Sequence, residues 1–266
     1  MELKPMLLTE VWSKSVLEDS TKMFQVKENG VRAILHVKQG KIVGIRNRSN
    51  LPILYCFPEL KEVKLPYDSA ILDAEIVVMQ NGKSAFYGGV DKRRSAPTAT
   101  TLQKHPATAV VFDALAINGE SLLSKPYKAR YAKLSTIGQT DFIKVAQNFD
   151  AKSLWARVVS ENLEGVVIKD PNAYYEVDTR SKQMLKLKNY KLTVVSVTSS
   201  EQNDKGTKIF GKSTIDGKEI IVEAQLAGIF GVESGTTQII KYLDVQGSRL
   251  IQPTKVNREQ IETLEE

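Results

Sequence analysis

Apolar and polar residues along this chain alternate mostly with a period of two, in short runs closed by turn residues, the pattern of half-buried strands. Met23 to Lys27 is expected as a short strand followed by a turn at Asn29 and Gly30. Val31 to Val37 and Ile42 to Arg46 read as a hairpin closed around Gln39-Gly40. Ile71 to Met79 runs into Asn81-Gly82, a strong hairpin signal, and Val110 to Leu115 ends near Asn118-Gly119. Gly165 to Lys169 and Gln183 to Lys188 are further strands. Lys125 to Ile137 and Lys152 to Asn162 instead carry a helical period and are expected as amphipathic helices outside the sheets.

A boundary is expected just after Tyr190. Beyond it come β-rich runs at Leu192 to Thr198, Lys208 to Ile215 and Glu219 to Glu223, the last two separated by Asp216-Gly217. A polar helix at about Ser234 to Leu243 and a final strand near Arg249 follow. Short strands with turn signals between them suggest a small barrel, for which the OB-fold is the natural candidate.

Composition narrows the class. A chain of 266 residues accommodates two domains. The formal charge of +6 favours an anionic partner, and its spread along the chain suits a folded basic face. Cys56 is the single cysteine, which excludes an intramolecular disulfide and a cysteine zinc cluster. His36 and His105 are too few and too far apart to suggest a metal site. With no signal peptide and no apolar run of membrane-spanning length, a reduced, cytoplasmic protein is expected.

The candidate chemistry starts at Lys27 in "FQVKENGVRAIL". An amine attacks a phosphoanhydride only when neutral, so a nucleophilic lysine needs burial or neighbouring cations to shed its proton. Arg32, Lys169, Lys186 and Lys188 could supply such cations if the fold gathers them. Downstream lie "ILDAEIVV" (71–78), "VVFDALAINGE" (110–120), "EGVVIKDP" (164–171) and "MLKLKNY" (184–190). In this order they resemble the motif series of the covalent nucleotidyltransferases: ATP-dependent DNA ligases, RNA ligases and mRNA-capping guanylyltransferases. "LKPMLLTE" (3–10) and the Tyr and Arg-Ser before "KQMLKLK" look most similar to the DNA ligases. The similar stretch covers Lys4 to Tyr190.

The resemblance implies an α+β architecture. An ATP-grasp-like nucleotidyltransferase domain of antiparallel sheets with flanking helices would occupy residues 1–189, and an OB-fold barrel residues 190–266. It also implies ATP and Mg²⁺ (with Mn²⁺ as an alternative ion), nicked double-stranded DNA as partner, and action as a monomer away from membranes. Lys27 then matches the nucleophile and Arg32 the arginine that contacts the nucleotide or the nick phosphate. Arg48 matches a second arginine, with Arg46 as the competing assignment. Glu75 would serve the ribose or the metal, Glu164 the metal, and Phe112 the stacking face for adenine. Lys169, Lys186 and Lys188 would hold phosphate. Asp73 and Glu75 alternate on one strand and so face the same side.

Three departures from the ligase pattern matter. Asn29 stands where DNA ligases usually carry Asp, and Gln25 where many place a Glu that reads the adenine amino group. Gln keeps an acceptor for that bond. The C-terminal basic segment is a loose match, offering Arg249, Lys255 and Arg258. An RNA ligase, and a ligase-like protein that binds nucleic acid without turnover, are therefore the alternatives, with a capping enzyme less well matched.

Overall fold

The computed structural model describes residues 3–85 and 87–265. Two compact units form: residues up to Val11 together with Val16–Leu187, and Trp12–Ser15 together with Lys188 onward.

The first unit is built on two sheets. One runs β1 (Leu7–Val11), β11 (Arg180–Lys188), β10 (Gly165–Lys169), β2 (Met23–Val26). The other orders β4 (Lys41–Asn47), β3 (Val31–Lys38), β5 (Ser69–Gln80), β7 (Ala107–Ile117) and β8 (Glu120–Ser121), with β6 (Lys83–Ser84) beside β5 and β9 (Ile143–Val145) beside β7. Most pairings are antiparallel, but β1–β11 and β7–β9 are parallel. The expected hairpins form where Gln39-Gly40, Asn81-Gly82 and Asn118-Gly119 place both turn residues at positive φ. That geometry matches the twist of the flanking strands.

Helices are short: α1 (Ala99–Lys104), α2 (Tyr127–Ala132) and α3 (Ala151–Ser160). The helix expected over Lys125 to Ile137 is α2 followed by a tighter 3₁₀ turn, Lys133–Thr136. Asp150 caps α3 by accepting from the Ser153 N–H at 2.9 Å. Leu154 and Val158 of α3 then pack on Phe24, Val166 and Ile168, sealing one face of β2 and β10. The core of the larger sheet is aliphatic, with Ala33, Leu35, Leu72, Ala74, Ile76 and Val111 fully buried.

The second unit is one sheet in the order β16 (Asp244–Gln246), β17 (Arg249–Ile251), β14 (Lys218–Ala227), β13 (Gly206–Ile215), β12 (Lys191–Asn203), β15 (Thr237–Tyr242), β18 (Thr254–Lys255), followed by α4 (Arg258–Glu265). The polar helix expected at Ser234 to Leu243 is instead strand β15, paired antiparallel with β12. Gln238 and Ile240 point into the unit while Thr237 and Ile239 are exposed, and this two-residue alternation favours strand over helix. Ile239 and Ile240 add β-branched stiffness in the same direction.

Candidate active site

Register brings the separated motifs together. β2 and β10 pair so that Val26 faces Val166 and Gln25 faces Val167. The pairing continues one step past the strand, where Lys27 N–H donates to Gly165 C=O at 2.9 Å. Lys27 is thereby set beside Glu164, and its Nζ lies 2.7 Å from Glu164 Oε1. Gly30 marks no tight turn. A Cβ there would sit 2.3 Å from the Ile76 carbonyl oxygen, so glycine is required because the chain passes against β5.

On the second sheet β3 and β5 place Arg32 opposite Glu75. Arg32 grips Asp73 with two bonds, Nε to Oδ1 at 2.5 Å and Nη2 to Oδ2 at 2.7 Å, and Tyr175 Oη donates to the same carboxylate at 2.6 Å. Asp73 is fully buried and these donors satisfy it. Opposite β5, the register of β7 slips between Asp73 and Ala74: Ala74 pairs Val111 and Asp73 pairs Asp113. Phe112 is the extra residue of this bulge, left without a partner in the register.

A cavity of about 110 Å³ opens between these elements. Gln25, Lys27, Arg32, Glu75, Phe112 and Lys169, all singled out in the sequence, line it. Arg48, Glu164, Lys186 and Lys188 are not among its walls. Glu164 stands beside the cavity residue Lys27, its Oε1 2.7 Å from Nζ. Arg48 is exposed, and Arg46 bonds Asn50 C=O. Lys186 pairs with Glu10 at 3.2 Å, while Lys188 belongs to the second unit and bonds Gln252 there. Arg249, Lys255 and Arg258 are exposed on β17, β18 and α4.

The electrostatics are those of a crowded, dry site. Burial pushes the Glu75 carboxyl up to about 7 against the pull of Lys27 and Arg32, with Glu164 and Asp73 adding to the rise. Burial lowers the Lys169 ammonium to about 7, opposed by Asp113 and assisted by Arg32. Phe112 does not offer a bare ring: the Arg32 guanidinium carbon lies 4.5 Å and Lys169 Nζ 4.4 Å from its centroid. Among the described residues no three His, Cys, Asp or Glu side chains gather as a ready-made metal cage. Two carboxylates beside Lys27, one of them reluctant to ionise, fit a hard divalent cation that takes its remaining ligands from phosphate oxygens.

Several residues of the site carried no sequence signal. Tyr127 opens α2 with its hydroxyl against Lys169 and Gln25, and Glu28, Met6 and Leu8 are among the further residues that line the cavity. Arg130, fully buried, ties α2 to the sheet through two bonds to Asp113. The alternation of Asp73 with Glu75 placed both on one face, but nothing in the spacing of Arg130 singles it out as a site residue.

The model of the ATP dependent DNA ligase domain matches residues 5–188. This chain belongs to the ATP-dependent DNA ligase domain family. Members of that family seal nicks in DNA using ATP. Among curated relatives, the SPbeta prophage-derived DNA ligase-like protein LigB of Bacillus subtilis (strain 168) is 28% identical over 207 residues, covering 77% of this chain and 74% of that protein. A DNA ligase of Pyrobaculum islandicum is 29% identical over 185 residues, covering 64% of this chain but 32% of its own length. The chain thus spans about a third of the archaeal ligase it matches. Among solved structures, one from a study of DNA binding with a minimal scaffold by Lig E DNA ligases has a TM-score of 0.68 at 13% identity, covering 96% of this chain and 98% of that one. The ligase domain of M. tuberculosis LigD has a TM-score of 0.60 at 19% identity, covering 96% and 94%. These likenesses carry the fold, a sheet-rich nucleotidyltransferase part with an OB-fold part, as the sequence led one to expect.

Proposed function

We propose that this ligase-family chain seals 5′-phosphate/3′-hydroxyl nicks in duplex DNA through an AMP adduct on Lys27. The observation that carries the reading is the convergence on one cavity of Gln25, Arg32, Glu75, Phe112 and Lys169, from five different strands, with Lys27 just past the end of β2. In the first step the neutral Lys27 amine forms a P–N bond to the α-phosphorus of ATP. The bond to the β-phosphate oxygen breaks, pyrophosphate departs and the amine loses a proton. The AMP then passes to a 5′-phosphate oxygen, breaking the P–N bond. Finally the 3′-hydroxyl attacks that 5′-phosphorus, and AMP leaves as the phosphodiester forms.

The chain's groups divide this work. Glu164 holds Lys27 in place and, with Glu75, supplies oxygen ligands for Mg²⁺, with Mn²⁺ as an alternative. The ion would neutralise phosphate charge during transfer. Lys169 and Arg32 are the cations that meet the nucleotide, and either must leave the Phe112 ring before adenine stacks on it. Arg48, Lys186 and Lys188 are assigned to phosphate or sugar contacts made when substrate binds. We place the functional division at residues 189 and 190, with action as a monomer in the cytoplasm. Binding to the DNA backbone should weaken steeply with salt.

Incubation with α-labelled ATP and Mg²⁺, resolved by denaturing electrophoresis, tests the reading. A covalent band absent from Lys27→Ala, followed by sealing of nicked DNA in preference to nicked RNA, is expected. Folded wild-type protein that forms no band would overturn it.

A further inference from the structure

A glutamine beside a purine can show either its oxygen or its NH2 group, and the two ends select opposite bases. Adenine offers an amino donor where guanine and hypoxanthine carry a carbonyl acceptor. Gln25 is 2% exposed, so it has little water with which to satisfy a wrong orientation. Its Nε2 lies 3.1 Å from Tyr127 Oη and 3.0 Å from Asn148 Oδ1.

Donor and acceptor accounting fixes that orientation. Phe112 is the extra residue of the β7 bulge, and Tyr127 Oη donates to its carbonyl at 3.0 Å. Lys169 Nζ donates to the same hydroxyl at 3.0 Å. A phenol has one proton. With that proton on Phe112, Tyr127 can only accept from Gln25. An inverted amide would draw the proton to Oε1 and leave the Phe112 carbonyl only the 3.4 Å contact from Lys169. Tyr127 itself is fully buried at the start of α2, which the Arg130–Asp113 pair clamps to the sheet.

We propose that Tyr127 is a positioning residue for base selection: its hydroxyl locks the Gln25 amide with Oε1 toward the base, so that a neutral side chain accepts from adenine's amino group and rejects 6-keto purines. The proposal rests on reading the cavity as the ATP site. The Phe112 backbone thus reaches the base through Tyr127 and Gln25.

The test compares adduct formation from α-labelled ATP and α-labelled inosine triphosphate in wild type, Tyr127→Phe, Gln25→Glu and the double variant. Wild type should prefer ATP. Tyr127→Phe removes one of the two acceptors of the amide NH2, leaving Asn148 Oδ1 alone to hold it, and should raise the inosine-to-adenosine ratio of kcat/KM roughly tenfold, the scale of one hydrogen bond. In the Gln25→Glu background the same change should leave the ratio within about twofold, because a carboxylate has no donor end. A merely structural Tyr127 would lower both nucleotides alike, and an unchanged ratio overturns the proposal. So does a wild type indifferent to the two bases. Absence of any wild-type adduct marks failure of the ligase reading and takes this proposal with it. Should Tyr127→Phe not fold, the wild type still decides. The Gln25 side-chain amide protons, bonded inside the protein, should keep their NMR shifts when a non-hydrolysable ATP analogue binds, whereas a large shift shows that the NH2 group has turned to the base.

Discussion

Lys27 and Glu164 form an ion pair, Nζ to Oε1 at 2.7 Å, with the carboxylate side chain only 6% exposed. The pair exists because the β2–β10 register continues through Lys27 to Gly165, which brings Lys27 beside Glu164, 137 positions away in the sequence. A lysine so held is positioned, but its attacking nitrogen is engaged by the carboxylate. Divalent cation and triphosphate must loosen it before attack. Glu164→Gln should therefore keep the fold yet slow adduct formation by roughly a hundredfold, the usual scale for losing one preorganised electrostatic partner. Single-turnover label transfer with circular dichroism as a fold control measures this. Wild-type rates in the variant would remove Glu164 from the chemistry.

Asp73 is a structural anchor that shapes the site indirectly. It accepts from Arg32 twice and from Tyr175 once while fully buried. Asp73→Ala leaves a guanidinium and a phenol without their partner, and breaking a buried pair from one side costs about 3 kcal/mol or more. Urea unfolding should show that loss. A change below about 1 kcal/mol would mean that Arg32 finds compensation elsewhere.

Much of the fold was legible because turn chemistry is local. Gln39-Gly40, Asn81-Gly82, Asn118-Gly119 and Asp216-Gly217 all adopt paired positive φ, and the strands they join follow from period-two burial. The helix expected at Ser234 to Leu243 failed because its polar residues, Gln238 and Lys241 among them, are buried in a strand rather than spread on a helix surface. Lys241 is accommodated there by aromatic faces, its Nζ 3.4 Å from the Trp12 ring centroid and 4.3 Å from that of Tyr190. That Trp12 belongs with the C-terminal unit could not be read from its position near the N-terminus. The bulge at Phe112 was equally hidden, since β7 reads as an unbroken apolar run and a register slip depends on the partner strand.

Gly30 is the residue whose role changed most between sequence and structure. Expected as a turn glycine, it is instead a point of close passage. An added Cβ would stand 2.3 Å from Ile76 O and 2.9 Å from the Glu75 side chain. Gly30→Ala should displace β3 from β5, disturb Glu75, and reduce both stability and adduct formation. Gly82→Ala makes the contrast, because open space surrounds its Cβ and only the φ of 78° opposes it. It should cost about 1 kcal/mol and leave adduct formation intact. Thermal melts with parallel label transfer separate the two. Equal effects would show that the approach to Ile76 is easily relieved.

Lys169 makes the first unit's stability depend on pH in a definite direction. Burial, the largest cause, with Arg32 and Arg130, holds its ammonium at about 7 in the folded protein, against an ordinary value of 10.5. Between those values the unfolded chain binds a proton that the folded chain has released. Stability therefore rises as pH climbs from about 7 to about 10.5 and gains nothing from this group below about 7. Lys169→Met removes the linkage, so the wild type should gain on the variant between pH 7.5 and 9.5 in urea midpoints. A triphosphate placed beside Lys169 would restore the charged form, so ATP binding at pH 8 should take up protons. Calorimetry in buffers of different ionisation enthalpy detects that uptake. Parallel pH profiles for wild type and variant, with no proton uptake, would show that Lys169 stays charged throughout.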